Sequence, residues 1–220
     1  MNYFEIINKV LLELNYRPLE DFGRIYKNEH QKILDAINRV NKDVLASYDW
    51  PFLERKGNIT VSKGQNSCIV PFKGHIKAVY DGSEKLEFAP NPFPAGVLGQ
   101  GACACGGFYS LETAQDGQKT CLIVPKSNQD KVYTVIYYSK NYVMDENGTF
   151  KVDFTGKNDV STIPMPYAEQ LLVYGTCLKV KANPAYPKFG FWNTLYIQAL
   201  ANLRQKSPQT KEGGPFISIN

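Results

Sequence analysis

Apolar residues recur every three or four positions at both ends of this chain and every second position in its middle. Phe4, Ile7, Val10, Leu11 and Leu14 fall on one helical face, with Asn2 and Glu5 three apart as a capping pair and Pro18 beyond the stop. A second helix is predicted in "NEHQKILDAINRVNKDVLASYDW", with Asn28 as N-cap, Gln31 three residues later, and Ile33, Ile37, Val40, Val44, Leu45 and Tyr48 on one face. The short connection between the two predicts that they pair.

Beyond Trp50-Pro51-Phe52 the period drops to two. Ile59 and Val61 alternate with Asn58, Thr60 and Ser62, and strand-like runs follow at "SCIVPF", "IKAVYDG", "KLEFAP", "GFYSLET", "KTCLIVP" and "KVYTVIYYSKNYVM". Lys63-Gly64, Asp81-Gly82, Asp116-Gly117 and Asn147-Gly148 supply turn chemistry between them, while "PNPFPAGVLGQGACACGG" reads as a long loop. Helical spacing returns after Pro164 and Pro166, with Leu171, Leu172, Tyr174 and Leu178, and small residues Ala168, Gly175 and Cys177 that admit a close neighbour. A last helix carries Trp192, Leu195, Tyr196, Ala199 and Leu203.

The resulting expectation is an α+β chain. Residues 1–52 form an N-terminal helical pair, 53–160 an inserted antiparallel β-sandwich or barrel, 161–206 a C-terminal pair completing a four-helix bundle, and 207–220 an extended tail. Trp50, Pro51 and Phe52 are the domain junction, because Pro51 forces Trp50 out of helical geometry and two aromatic rings can wedge the exit of the β-domain.

Composition narrows the function classes. The 220 residues can bury a core without disulfides or metals, and 43% hydrophobic with 21% charged residues is ordinary for a folded chain. The net charge of +4 arises from 25 basic and 21 acidic residues that read as mixed along the chain, without the basic stripe of a dedicated nucleic-acid binder. Five cysteines and no charged-then-apolar leader predict a reducing cytoplasm as the place of synthesis, and no apolar run approaches the ~20 residues of a membrane helix.

Candidate chemistry is sparse. Cys68, Cys103, Cys105, Cys121 and His75 are the best metal-ligand candidates, but Cys-x-Cys is not a zinc knuckle and the ligands come from separate segments, so no metal is expected. Cys68 and Cys121 read as buried strand residues and Cys103 and Cys105 as loop thiols. His30 reads as solvated in a first helical turn and His75 as solvated in a turn between strands, which leaves no nucleophile–base pair. No phosphate cradle is present, and Glu84 with Glu87, or Asp145 with Glu146, read as strand edges and turns. Neither a cofactor nor catalysis is expected. Aromatics in "VYTVIYYSKNY" read as sheet packing, since Tyr133, Ile136 and Tyr138 do not all share a face. Phe216, Ile217 and Ile219 close the chain after a basic linker; such a cluster either folds back as a strand or docks on a partner.

Four segments, "IINKVLLELNYRP", "ILDAINRVNKDVLASYDWPF", "ITVSKGQNSCIVPF" and "IPMPYAEQLLVYGTCLKVKANP", together resemble the head-to-tail adaptor (connector) proteins of tailed bacteriophages, in particular the tail-tubular or gatekeeper ring type. The resemblance implies a structural virion protein at the head–tail junction, made in the bacterial host cytoplasm. It implies a homo-oligomeric ring, a dodecamer, between the capsid portal protein and a downstream tail (nozzle or tube) protein, with genomic DNA passing through the channel and no membrane. It also implies that Phe216, Ile217 and Ile219 dock on the portal. The competing reading is a non-enzymatic β-sandwich binding module for carbohydrate or protein, using the aromatic strand or the Pro/Gly loop.

Overall fold

Residues 1–25, 27–90, 107–113 and 119–207 are described by the structure, a computed structural model. The chain divides into a helical unit, Met1–Leu53 with Lys140–Thr210, and a β unit, Glu54–Ser139.

In the helical unit α1 spans Tyr3–Glu13 and starts on the anticipated capping box: Asn2 Oδ1 accepts the Glu5 amide at 2.9 Å and Glu5 Oε2 accepts the Asn2 amide at 3.0 Å. Helix α2 spans Asn28–Ala46; Asn28 is its first helical residue, and Lys27 at the N-cap makes no side-chain cap bond. Helices α3, Tyr167–Val180, and α4, Phe189–Lys206, follow the β unit in sequence.

The chain is α+β, but the expected bundle of an N-terminal pair against a C-terminal pair does not form. Helices α1 and α2 barely touch; each packs mainly on α3, which also carries α4. The reason lies in α3, whose Ala168, Leu171, Leu172, Val173, Gly175, Thr176 and Cys177 are all buried. A helix apolar nearly all round accepts several neighbours, so the amphipathic faces of α1 and α2 are covered by it and not by each other. Gly175 sets the closeness of this packing, since a Cβ there would stand 2.7 Å from Val40 Cγ1 of α2 and 2.9 Å from the Tyr196 ring of α4.

Strands are interleaved with these helices. β9 (Val143–Met144), β10 (Phe150–Lys151) and β11 (Val160–Ser161) form an antiparallel sheet of order β10-β9-β11 within the helical unit. Val160 bridges Asn2 at the start of α1, and Ser161 Oγ donates to Asn41 Oδ1 of α2 at 2.7 Å in a buried bond. Asn38 of α2 binds the backbone of Phe154 through both its amide atoms. Helices and sheet are thus joined by polar contacts that apolar periodicity does not encode.

Among the described residues the β unit holds two four-stranded sheets. β1 (Glu54–Val61), β8 (Lys131–Ser139), β3 (Gly74–Asp81) and β4 (Glu84–Lys85) lie in the order β1-β8-β3-β4, all antiparallel. β2 (Ser67–Ile69), β7 (Thr120–Ile123), β6 (Phe108–Thr113) and β5 (Glu87–Phe88) lie in the order β2-β7-β6-β5, and β5 runs parallel to β6. That departure from a purely antiparallel arrangement is open to the chain because the long connection after β5 gives the length a parallel crossover needs. Gly82 turns the β3–β4 hairpin at φ +60°, as Asp-Gly chemistry predicts. Ile59, Val61, Val79, Tyr133 and Val135 from the first sheet share a core with Tyr109 and Leu122 from the second.

Candidate functional site

Trp50 is fully buried in the helical unit. Helix α2 ends at Ala46, and the carbonyl of Val44, which takes only a long 3.4 Å bond from the Ser47 amide, also accepts from Ser47 Oγ at 2.8 Å and from Trp50 Nε1 at 3.0 Å. Pro51–Leu53 make a single 3-10 turn, and the rings of Trp50 and Phe52 stack at 5.6 Å. The Trp-Pro-Phe segment is therefore a C-terminal seal on α2. Trp192 of α4 is equally buried; its Nε1 donates to Glu13 Oε2 at 3.0 Å, and Lys188 Nζ donates to the Glu13 carbonyl at 2.9 Å.

The titratable groups are arranged for structure. Asp159, 2% exposed, accepts through Oδ2 from the amides of Thr155 and Gly156, both at 2.6 Å, and pairs with Lys151 Nζ at 2.7 Å. Burial by itself raises its pKa, but Lys151 and the Gly156 and Thr155 amides outweigh that and hold it below the usual aspartate value. Its backbone carbonyl accepts the Tyr3 amide at 2.8 Å, so the carboxylate pins the 155–159 turn beneath the start of α1. Burial pushes the Cys177 thiol up to about 12, with Glu13 adding to the effect, which leaves it unreactive at neutral pH. A groove of about 500 Å³ is lined by Tyr3, Phe22, Leu34, Asp35 and Phe154. Tyr3 stacks on Phe154 at 4.7 Å, and its hydroxyl is pushed well up by burial and by Asp35, Asp159 and Asp153, so the groove offers no phenol poised for proton transfer.

The sequence candidates are dispersed. Cys68 and Cys121 are free thiols on adjoining strands; burial, then the neighbouring Cys121, raises the Cys68 pKa. Among the described residues no three His, Cys, Asp or Glu side chains converge as metal ligands. His75 lies within β3 opposite Tyr138, not in a turn, and His30 is 9% exposed, not solvated. Glu84 and Glu87 are exposed strand residues, and Asp145 Oδ1 caps its turn by accepting from the Asn147 and Thr149 amides. Tyr133 is in the core and Tyr137 stacks on Phe72 at 4.6 Å, while Tyr138, next along the strand, carries Lys77 over its ring at 5.7 Å. Cys103, Cys105, most of the 90–107 loop, and Phe216, Ile217 and Ile219 lie outside the described residues.

What stands out instead is surface. In the helical unit Leu12, Met165, Phe191 and Ile197 are each more than half exposed. Phe191 and Ile197 belong to α4, where the exposed positions from Phe191 to Asn202 carry no charge and Arg204 and Lys206 are exposed in the last turn. A sequence signal for this surface exists and is hidden by averaging charge over the whole chain. From Gln170 to Lys211 there is no Asp or Glu, while six basic residues occur. Among the described residues no helix is long and apolar enough to cross a membrane. No protein-family model matches the chain, and no curated protein is significantly similar to it.

Proposed function

We propose that this chain is a structural adaptor that assembles with copies of itself into a ring and joins two larger components, in the manner of the phage head-to-tail connectors its segments resemble. The observation that carries the reading is the set of four large apolar side chains, Leu12, Met165, Phe191 and Ile197, exposed on one helical unit. Exposed apolar groups mark protein–protein contact surfaces where they gather into a patch, and a ring subunit needs two such contacts with its neighbours besides those with the components it joins. Under this reading the partners are a portal protein and a downstream tail protein, the protein resides at the virion's head–tail junction, and DNA passes through the ring without sequence readout. Phe216, Ile217 and Ile219 dock on the portal.

The test is native mass by light scattering, on the purified chain alone and mixed with a portal from the same genome. A cyclic species, or joining of the portal in a symmetric multiple, supports the adaptor reading. A monomer indifferent to the portal removes it. Deleting the residues after Gly213 should leave the melting temperature unchanged and weaken portal docking; unchanged docking would remove the role given to Phe216, Ile217 and Ile219.

A further inference from the structure

We infer that the groove beside α2 is a recognition site for an arginine side chain presented by a partner protein. Gln31, Leu34, Asp35 and Asn38 stand at i, i+3, i+4 and i+7, a single stripe of α2 that forms one side of the groove. Phe22 and Ile25 line it from the turn before α2, and the Phe22 ring stands 6.0 Å from that of Tyr3. Tyr3, stacked on Phe154, supplies an aromatic floor: both are 3% exposed, whereas Gln31 and Asp35 at the rim are open to water. The whole lining belongs to the helical unit.

The polar groups of this groove lack what a cation brings. Tyr3 is almost wholly buried, yet its hydroxyl makes no hydrogen bond to a described residue, and the Asp35 carboxylate makes neither a hydrogen bond nor an ion pair with one. The other two carboxylates that act on Tyr3 are already answered, Asp153 by Lys42 at 2.8 Å and Asp159 by Lys151 at 2.7 Å. Asn38 is committed to the Phe154 backbone. Among the described residues the lining holds one acid and no base, so what it offers is acceptors: the Asp35 carboxylate, the Tyr3 phenol oxygen and the Gln31 side-chain carbonyl. A guanidinium brings a planar fork of N–H donors that takes a carboxylate in two parallel bonds and lies against an aromatic ring, while its apolar stem packs on Leu34 and Ile25. Lysine brings the charge without the fork or the plane. The open rim over a closed floor favours a side chain over a free small molecule, since a group entering head first keeps its other end in water, where a chain can hold it. A volume of about 500 Å³ leaves room for the stem and the residue that carries it. A charge pair at so open a rim is weak, so a single arginine should bind with a Kd of about 1 mM or more and act as one anchor within a larger contact. The assignment does not depend on the ring reading.

The test uses the full chain and blocked amino acids as probes. N-acetyl-arginine amide, its lysine counterpart, and its citrulline counterpart, which keeps the shape and loses the charge, are titrated into isotope-labelled protein while amide NMR shifts are followed. The native chain is compared with Asp35→Asn and with Tyr3→Phe; Asp35 is exposed and Tyr3→Phe keeps the ring stack on Phe154, so both variants should melt close to the native chain. Saturable shifts confined to the groove residues, weaker binding of the lysine probe, and binding of the citrulline probe weaker by about tenfold support the assignment, as does an arginine affinity lowered about tenfold in Asp35→Asn and less in Tyr3→Phe. Equal binding of the arginine and citrulline probes, shifts that map elsewhere, no saturable shifts, or variants that bind as the native chain does would overturn it. Propylguanidine, the same head and stem without a chain, separates the two sources of a guanidinium. If it binds about tenfold or more tightly than a blocked Ala-Arg-Ala peptide, the groove is a small-molecule site and the protein partner falls; if it binds equally or more weakly, the side-chain assignment stands.

Discussion

Asp159 is a carboxylate placed out of water and kept ionised there by two amides and one ammonium group. Because the folded state favours the charged form, its contribution is complete above the ordinary aspartate pKa of about 3.9 and is lost as pH falls through that value towards the lower folded one. Asp159→Ala should therefore lower stability at neutral pH by about 3 kcal/mol, since it strands Lys151 and two amides, and should flatten the loss of stability on acidification. Urea midpoints of both proteins from neutral to acidic pH measure this; equal midpoints, or parallel acid limbs, would show that the turn does not depend on the carboxylate. Nothing in the sequence around Asp159 distinguishes it from the half-buried Asp145 or the exposed Glu146, because its burial comes from the start of α1, more than 150 residues away in the chain. The same holds for Asn41: helical spacing gives its position on α2, while its buried partner, Ser161, comes from β11.

At the level of elements, what is local in sequence was legible and what is shared between elements was not. The Asn2–Glu5 box, the apolar stripe of α2 and the Asp81-Gly82 turn depend on residues a few positions apart, and each is present. The choice of α3 as the common neighbour of the other three helices depends on competition among faces that periodicity cannot rank, and the parallel β5–β6 pair depends on a crossover that a turn count cannot see. Gly175 is where that competition is decided. Alanine is the better helix former by about 1 kcal/mol, but its methyl would meet Val40 Cγ1 at 2.7 Å, on a stiff β-branched side chain that is 2% exposed. Overpacking wins, and Gly175→Ala should cost about 1–2 kcal/mol net, read as a lower urea midpoint at an unchanged slope. A stabilised variant would show that α2 and α4 give way easily. Thr194→Ala, on the exposed side of α4, serves as the control and should change stability little.

For the whole molecule the informative fact is where the β unit begins and ends. Glu54 at its start faces Tyr138 near its end across the β1–β8 ladder. A segment with neighbouring ends and its own core has the anatomy of an insertion, so residues 54–139 expressed alone should fold with a cooperative melt and a β-rich spectrum. A non-cooperative, unfolded product would mean that the core needs residues beyond those ends. The candidate interaction surface was legible at this scale too. The acid-free run from Gln170 to Lys211 is visible on inspection, yet a net charge of +4 for the whole chain conceals it, since acids elsewhere cancel its cations. Cysteines and histidines drew attention because they can do chemistry; the structure brings Cys68 and Cys121 onto adjoining strands but gathers no metal-ligand set among the described residues, and spacing in sequence carries no record of that.

The facing of Glu54 and Tyr138 also has a mechanical meaning. Tension reaching the β unit through its two chain connections acts at one end of the β1–β8 ladder, where it loads a single rung at a time instead of sharing the force along eight paired residues. Such a ladder peels; it does not shear. The β unit under strain would first give up the pairs at Glu54 and Arg55, lengthening by a few residues while Ile59, Val61, Tyr133 and Val135 stay packed. Within the β unit, then, the first rungs of the β1–β8 ladder yield before the core they lead into.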